Sequence, residues 1–530
     1  MQTIRNKKKQ TMLRSDLLKQ LKETKEWDVI IIGGGATGLG IAMDAATRNY
    51  KTLLIEQSDF AKGTSSKATK LLHGGVRYMA QGNLSLVQEA CHERGLLLKN
   101  APHVTNNEKF VIPNYSIFNN IKYTLGLKFY DFLAGKLSLG RSHYINKAET
   151  IKALPTIKQA GLKGGVVYHD GQFDDTRLAL NVAQTAIENG ACVLNYMKAQ
   201  SIIKGNNSKC EGLIIKDIET GEQFTAKGKV IINATGVYVD DILHMDNPKA
   251  NRMVRPSQGV HITLDRSFMP SENALMIPET SDGRVLFAVP WHDKLIVGTT
   301  DTLRDKAELE PKALEEEVSF ILDTAAAYLT HKPVKEDVLA VFAGLRPLAA
   351  PKENGSKTKE ISRSHKIIVS KSNLITITGG KWTTFRRMAQ DTIEKAIEVG
   401  LLPEKACVTE SLKIHGYVTK SNGNDPLYFY GSDLNGVLQL VKLNPLLNEP
   451  LVADYPYTKA LVVFAARNEY ARRVEDVLAR RFRLLFLDAK AAVKAAPEVA
   501  RLLAHELGQG KEWIEKEIND FNELARAYLV

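Results

Sequence analysis

The apolar pattern along the chain starts with a compact run. Val29–Ile32 are four successive β-branched residues, the pattern of a strand buried on both faces. Leu39–Arg48 follow at helical spacing, and Thr52–Ile55 form a second short apolar run. Strand, helix and strand together predict a βαβ unit. A helix is predicted near Leu84–Leu98. Strands return from Gly164, Asp174 to about Asn189 reads as a helix, and Ala191–Leu194 as a strand. Residues 198–230 alternate apolar and polar positions around a hairpin turn at Glu219–Glu222. VIINATG, Val230–Gly236, is a second buried strand ending in glycine. Residues 253–300 read as antiparallel strands, Lys312–Leu329 as a helix and Asn373–Thr378 as a strand. From about Trp382 a helix is predicted whose Phe385, Met388, Ala389, Thr392, Ile393 and Ala396 share one face. Past about residue 402 strand signals vanish. A helical pattern from Tyr457 onward predicts a separate domain with a boundary near 400–425.

Glycines give the first strand its chemistry. Gly33, Gly35 and Gly38 fit the spacing G-x-G-x-x-G directly after Val29–Ile32 and before a helix. The first glycine allows a tight turn, the second lets backbone approach a pyrophosphate, and the third lets helix pack on sheet. Glu56 ends the second strand, 18 residues past Gly38, where a ribose hydroxyl needs an acceptor. A dinucleotide cofactor follows, of unspecified kind. The pattern returns at Gly236 and at Gly379–Gly380, about 340 residues after the first turn. A cofactor domain assembled from distant segments, with an antiparallel domain threaded between them, suits the length of FAD. A helix N-terminus at Gly379–Gly380 would favour negative charge on a reduced flavin ring.

Composition narrows the class. The chain has 530 residues, with 44% hydrophobic and 25% charged, a folded protein of two or three domains. Cys91, Cys192, Cys210 and Cys407 have no C-x-x-C spacing and read as reduced thiols. No metal-site spacing, signal peptide or run of 18 apolar residues is present. Net charge is +11, and residues 1–26 carry eight Lys or Arg against three acids, as a mobile arm or short amphipathic helix. Arg472, Arg473, Arg480, Arg481 and Arg483 form a second basic cluster. Two readings stay open for this charge: solvated helix faces, or attraction to an anionic bilayer. No nucleic-acid motif accompanies it.

Six motifs occur in order: VIIIGGGATG, SSKATKLLHGGVRY (Ser65–Tyr78), RPSQGVHI (Arg255–Ile262), AVPW with GTTD (Ala288–Trp291, Gly298–Asp301), GLRPL (Gly344–Leu348) and TGGKWTTFRRMA (Thr378–Ala389). Together they resemble the FAD-dependent glycerol-3-phosphate dehydrogenases, within the D-amino-acid oxidase-like fold group. The resemblance covers residue 27 to about 500. It implies a mixed α/β fold: a Rossmann-like FAD-binding domain of discontinuous segments, an antiparallel-sheet substrate domain and a C-terminal helical cap domain. The expected organisation is a basic arm at 1–26, an oxidoreductase region at 27–400 and a helical domain at 401–530. Within 27–400, FAD-binding segments are expected at about 27–100, 165–260 and 340–400, with substrate-binding segments at about 101–164 and 261–339.

The implied reaction oxidises sn-glycerol 3-phosphate to dihydroxyacetone phosphate, with electrons passing through non-covalent FAD to a membrane quinone. A phosphomonoester needs guanidinium or ammonium donors, and Arg77, Arg346, Arg363 and Lys381 lie in or beside the motifs, with Tyr78 next to Arg77. The hydroxyl proton at C2 needs a base. His261, in an apolar strand, is the candidate, while Arg346 or Lys381 would stabilise developing alkoxide. Ser65, Ser66, Lys67, Thr69, His73, Gly74, Gly75 and Thr383 are expected to join the glycines and Glu56 around FAD. No metal is expected. The aromatic and lysine-rich stretch 115–136 is either a packed face or a segment that dips into headgroups. The implied location is cytoplasmic, on the inner face of the cell membrane, with homodimerisation open. Rival readings are an oxygen-using glycerol-3-phosphate oxidase, an amine or amino-acid oxidase, and a non-catalytic flavin-binding protein.

Overall fold

The structure, a computed structural model, describes residues 13–79, 83–349, 365–419 and 425–530. Trp27–Ile32 occupies the middle of a parallel sheet, between Thr52–Ile55 on one side and Gln223–Asn233 on the other. Cys192–Leu194 extends the sheet beyond Thr52–Ile55, and Ile375–Thr378 extends it beyond Gln223–Asn233, both in parallel. Lys366–Val369 closes that second edge antiparallel. The predicted strands thus come together from four distant parts of the chain. The β-branched run is buried throughout. The helix Ala36–Thr47 packs on the helix Phe385–Gly400, and Gly40 makes the approach possible: a Cβ there would lie 2.8 Å from the Phe385 ring.

A second sheet of ten strands stands beside the first. Its long pairs are Thr105–Asn114 with Gly164–Phe173 and Val254–Asp265 with Ala340–Ala349, both antiparallel. Two of these strands begin segments expected to line FAD, 165–260 and 340–400. They cross into the second sheet because their backbone partners lie there, which strand texture does not reveal. The helix Ile117–Ala134 covers part of this sheet with Leu127 and Tyr130. It leaves Ile117, Phe118, Ile121, Leu125, Phe129 and Phe132 exposed.

The C-terminal helices include Leu434–Leu443, Lys459–Asn468, Ala489–Leu507 and Lys511–Ala525. They do not form a core of their own. Leu461, Val477 and Leu485 belong to the apolar cluster that contains Val29 and Leu54. Charge crosses the same boundary. Arg480 and Arg481 both bind Asp59, at 2.6 and 2.7 Å, and Arg177 binds Glu469 at 2.7 Å. The second basic cluster is therefore neither a solvated face nor a membrane patch at its centre. Arg480, Arg481 and Arg483 are buried, and Arg472 and Arg473 pair with Glu219 and Glu517. Part of the N-terminal arm is docked as well. The helix Arg14–Glu23 buries Leu17 and Leu21, and Arg14 donates to the Asn195 carbonyl at 2.8 Å.

His415 joins two parts of the fold. Its ring contacts Glu188 on the helix Asp175–Glu188 at 2.7 Å and Asp433 at 2.9 Å. Burial disfavours its charge, but the two carboxylates outweigh that and raise its pKa to about 9. The folded pKa exceeds the unfolded one, so the added stability is complete below about pH 6.5 and fades as pH rises through 9. Chemical denaturation should show wild type more stable than His415→Asn at pH 6, with the gap closing by pH 10.

Candidate functional site

A cavity of ≈ 420 Å³ opens where the parallel strands end. Its walls come from distant parts of the chain: Gly33 and Gly35, Glu56, Thr64 and Ser65, Met197–Ala199, Ala234–Tyr238 and Thr378–Trp382. Leu309 and Pro347 close it from the side of the second sheet. Gly33 has φ +111, and a Cβ there would lie 2.7 Å from the Ala234 carbonyl oxygen. A Cβ on Gly38 would strike the Gly33 carbonyl. The turn is therefore closed to side chains, and it leads into the N-terminus of Ala36–Thr47, where amides and helix dipole favour a phosphate. Ser65 Oγ accepts from the Ala36 amide at 2.9 Å.

Glu56 sits at the end of its strand with both oxygens engaged, by the Gly34 amide at 2.7 Å and the Ser58 amide at 2.9 Å. Burial pushes its pKa up, and these two donors pull against that shift. At the other end Gly379 and Gly380 have φ +78 and +79, just before the turn Trp382–Thr384 that opens the last helix of this half. Trp382 Nε1 donates to the Ser65 carbonyl at 2.9 Å and ties the two ends together. An extended dinucleotide fits these walls: a side-chain-free turn at a helix N-terminus, an acid at the neighbouring strand end, and a second glycine turn beyond.

The sequence-derived candidates divide. Gly33, Gly35, Glu56, Ser65, Gly236, Gly379, Gly380 and Lys381 line this cavity. Gly38 stands behind the turn. Ser66 and Lys67 point elsewhere. Ser66 Oγ donates to the Lys62 and Gly63 carbonyls, and Lys67 Nζ binds Glu310 at 2.6 Å. Thr69 turns to His261. Thr383 donates to the His73 carbonyl at 3.4 Å. A side chain on Gly74 would meet Tyr130 and Cys91, and Gly75 has φ +86. Arg77 and Tyr78 stand on the helical turn Val76–Met79, with side chains outside the described residues. Arg363 lies outside them altogether.

His261 and Arg346 come from paired strands. His261 lies opposite Phe342 and stacks on its ring, centroids 4.9 Å apart. Its Nε2 meets Thr69 Oγ1 at 2.9 Å, while Nδ1 is buried with no hydrogen-bond partner among the described residues. Gly298 lies opposite on the other flank, and a Cβ there would collide with the imidazole. Burial holds the His261 pKa well below its usual value, helped by the charges of Arg346 and Lys70. Arg346 extends across Gly259, whose missing side chain leaves room for the guanidinium. It donates to the Thr300 carbonyl at 3.2 Å and Thr299 Oγ1 at 3.0 Å. The ring is therefore held neutral, and the burial and cations that keep it so oppose its protonation until a negative charge arrives beside it.

Sequence reasoning missed Lys70. It is fully buried, donates to the Ser66 carbonyl at 2.8 Å and Asp175 at 2.7 Å, and lies over the Trp291, Phe342 and Phe486 rings. Burial and the neighbouring Arg483 lower its pKa to about 7. The signal was present: a lysine directly before the apolar pair Leu71-Leu72. Thr64, Tyr238 and Trp382 were also missed as lining residues, since nothing local marks their direction.

Known proteins resemble the chain along almost its whole length. The family described as FAD dependent oxidoreductase matches residues 28–385, and the C-terminal domain of alpha-glycerophosphate oxidase matches residues 370–514. A mitochondrial glycerol-3-phosphate dehydrogenase of Saccharomyces cerevisiae is 37% identical, covering 96% of this chain and 91% of its own. One from Bos taurus is 38% identical over 96% of this chain and 74% of its own. The crystal structure of a glycerol-3-phosphate dehydrogenase from Bacillus halodurans, complexed with FAD, superposes with TM-score 0.80 and 29% identity over 98% of both chains.

The glycine turn generates a direct test. Gly38→Ala puts a methyl into the Gly33 carbonyl, so the purified variant should carry less than about a tenth of the wild-type flavin absorbance, a loss of 1.4 kcal/mol or more in binding. Wild-type flavin content would contradict the geometry.

Proposed function

The chain belongs to the FAD-dependent glycerol-3-phosphate dehydrogenase family, and from that premise we propose how its residues serve the reaction and where the electrons go. The substrate is sn-glycerol 3-phosphate and the product dihydroxyacetone phosphate. FAD, when bound in the cavity, supplies the hydride acceptor for C2. Gly33, Gly35 and the Ala36–Thr47 helix N-terminus would hold its pyrophosphate and Glu56 its ribose, with Gly379–Gly380 at the ring end. Arg346 and Lys381 would bind the phosphate together with Arg77 and Arg363. His261 takes the C2 hydroxyl proton. The observation that carries this role is its environment: a buried imidazole, held neutral beside Arg346 and seated by Thr69 and Phe342. A neutral ring accepts a proton, and one placed by stacking accepts it from a fixed direction.

We place the electron acceptor, a quinone, in the bilayer and the chain at the inner, cytoplasmic face of the cell membrane. No helix among the described residues is long and apolar enough to cross a membrane. The support is the helix Ile117–Ala134. Phe118 is 73% exposed and Phe132 77%, with Lys122 and Lys128 on the same helix. Apolar rings flanked by lysines suit an interface of acyl chains and anionic headgroups. The four free cysteines fit a reducing compartment.

His261→Asn should slow anaerobic flavin reduction by glycerol 3-phosphate about 100-fold or more. An unchanged rate would remove His261 as the base. Phe118→Ser with Phe132→Ser should weaken vesicle sedimentation about tenfold or more, while reduction of a soluble dye continues. Stoichiometric hydrogen peroxide during turnover would favour the oxidase reading over quinone.

A further inference from the structure

Between the strand Thr302–Leu303 and the helix Glu315–Tyr328 the chain runs through residues 304–314 with no helix or strand. Leu309, near the middle, forms part of the cavity wall. Asp305, Lys306 and Glu308 are exposed, and apolar burial in this segment is confined to its C-terminal part, at Pro311 and Ala313. Its ends are tied by hydrogen bonds. The Arg304 amide donates to the Pro256 carbonyl at 2.9 Å, and Arg252 to the Asp305 carbonyl at 2.6 Å. Gln258 donates to the Lys312 carbonyl at 3.0 Å. The middle is held by charge. Lys67 Nζ reaches the Leu309 carbonyl at 3.2 Å and Glu310 Oε2 at 2.6 Å. Tyr528 donates its hydroxyl to that same oxygen at 3.0 Å, and Lys62 approaches Oε1 to 4.0 Å.

We propose that Glu310 is a positioning residue for the cofactor: it straps residues 304–314 across the cavity and so sets how fast FAD leaves. This rests on FAD occupying that cavity. The strap joins three parts of the chain. Lys62 and Lys67 come from the loop that carries Ser65, Glu310 from the second sheet's connection, and Tyr528 from the turn Arg526–Tyr528 near the end of the sequence. Tyr528 is itself buried, its ring against Phe486 at 5.3 Å, so its hydroxyl is presented from a fixed position. A carboxylate receiving an ammonium and a phenol hydroxyl is a strong, directional anchor. The other hold on Leu309 is the Lys67 ammonium on its carbonyl, and that ammonium is itself fixed by Glu310.

The rate of FAD release tests this, read as the rise of free-flavin fluorescence after dilution of the holoenzyme. Glu310→Ala should release FAD about tenfold faster, and Tyr528→Phe a few-fold faster, in keeping with loss of a charge-assisted and a neutral hydrogen bond. Glu310→Gln keeps an oxygen that accepts from both donors, and should fall between Glu310→Ala and wild type. The melting temperature of each apoprotein should match that of wild-type apoprotein, because the anchor acts on the cavity wall and not on the core. Wild-type release rates in Glu310→Ala would overturn the proposal. Should that variant not fold, a wild-type release rate in Tyr528→Phe overturns it alone. Wild-type protein purified without flavin would instead count against FAD in this cavity.

Discussion

Asp59 is the charge on which the site depends. It is buried between Arg480 and Arg481, and Asn195 donates to it as well. The two guanidinium groups hold its pKa far below the usual carboxylate range despite the opposing effect of burial. A buried charge is tolerable only when paired, so this carboxylate and these arginines must come together or not fold. Their meeting fixes the loop that follows Asp59. Lys62 pairs with Glu475 at 2.8 Å, and Arg483 donates to the Ser66 carbonyl at 2.8 Å. The residues that face the cavity, Thr64 and Ser65, are held from behind by a part of the chain more than 400 positions away. Arg480 also pairs with Glu475 and Asp476, so the buried charges form a network in which removal of Asp59 leaves Arg481 without a carboxylate partner at salt-bridge distance among the described residues.

The C-terminal helices are thus part of the cofactor site without touching it. Arg483 shares Asp175 with Lys70, at 3.3 and 2.7 Å. Burial first, and then the neighbouring Arg483 charge, lower the Lys70 pKa to about 7 against the opposing pull of Asp175 and Asp174. At His261 burial dominates as well, with Arg346 and then Lys70 adding to it. The helical domain thus packs a cation beside the buried lysine that lies near the imidazole.

Local chemistry was legible in the sequence. Gly33, Gly35, Gly38 and Glu56 were read from spacing alone, because a strand end, a turn and a helix start are neighbours in the chain. Gly379–Gly380 was read in the same way. The direction of side chains in Ser65–Thr69 was not legible. Lys67 turns from the cavity to Glu310, which is remote in sequence, and Ser66 folds its hydroxyl back onto the Lys62 and Gly63 carbonyls of its own loop. Arg480, Arg481 and Arg483 looked like surface charge for the same reason: Asp59 and Asp175 stand in unrelated text. The strands Gly164–Phe173 and Ala340–Ala349 were recognised as apolar segments, but which sheet they join is a matter of pairing. His261 and Arg346 stood out as polar residues in apolar strands, and the structure pairs those two strands side by side.

The helix Arg14–Glu23 has a consequence outside the chemistry. Cys192–Leu194 is the last strand on its side of the parallel sheet, and an open strand edge is a template for another chain. Cys192 Sγ donates to the Leu17 carbonyl at 3.2 Å, and Gln20 reaches the Gly190 carbonyl at 3.1 Å. The helix lies along that edge and its lysines face water. The helix thereby covers a strand edge that would otherwise be open to pairing with another copy of the chain.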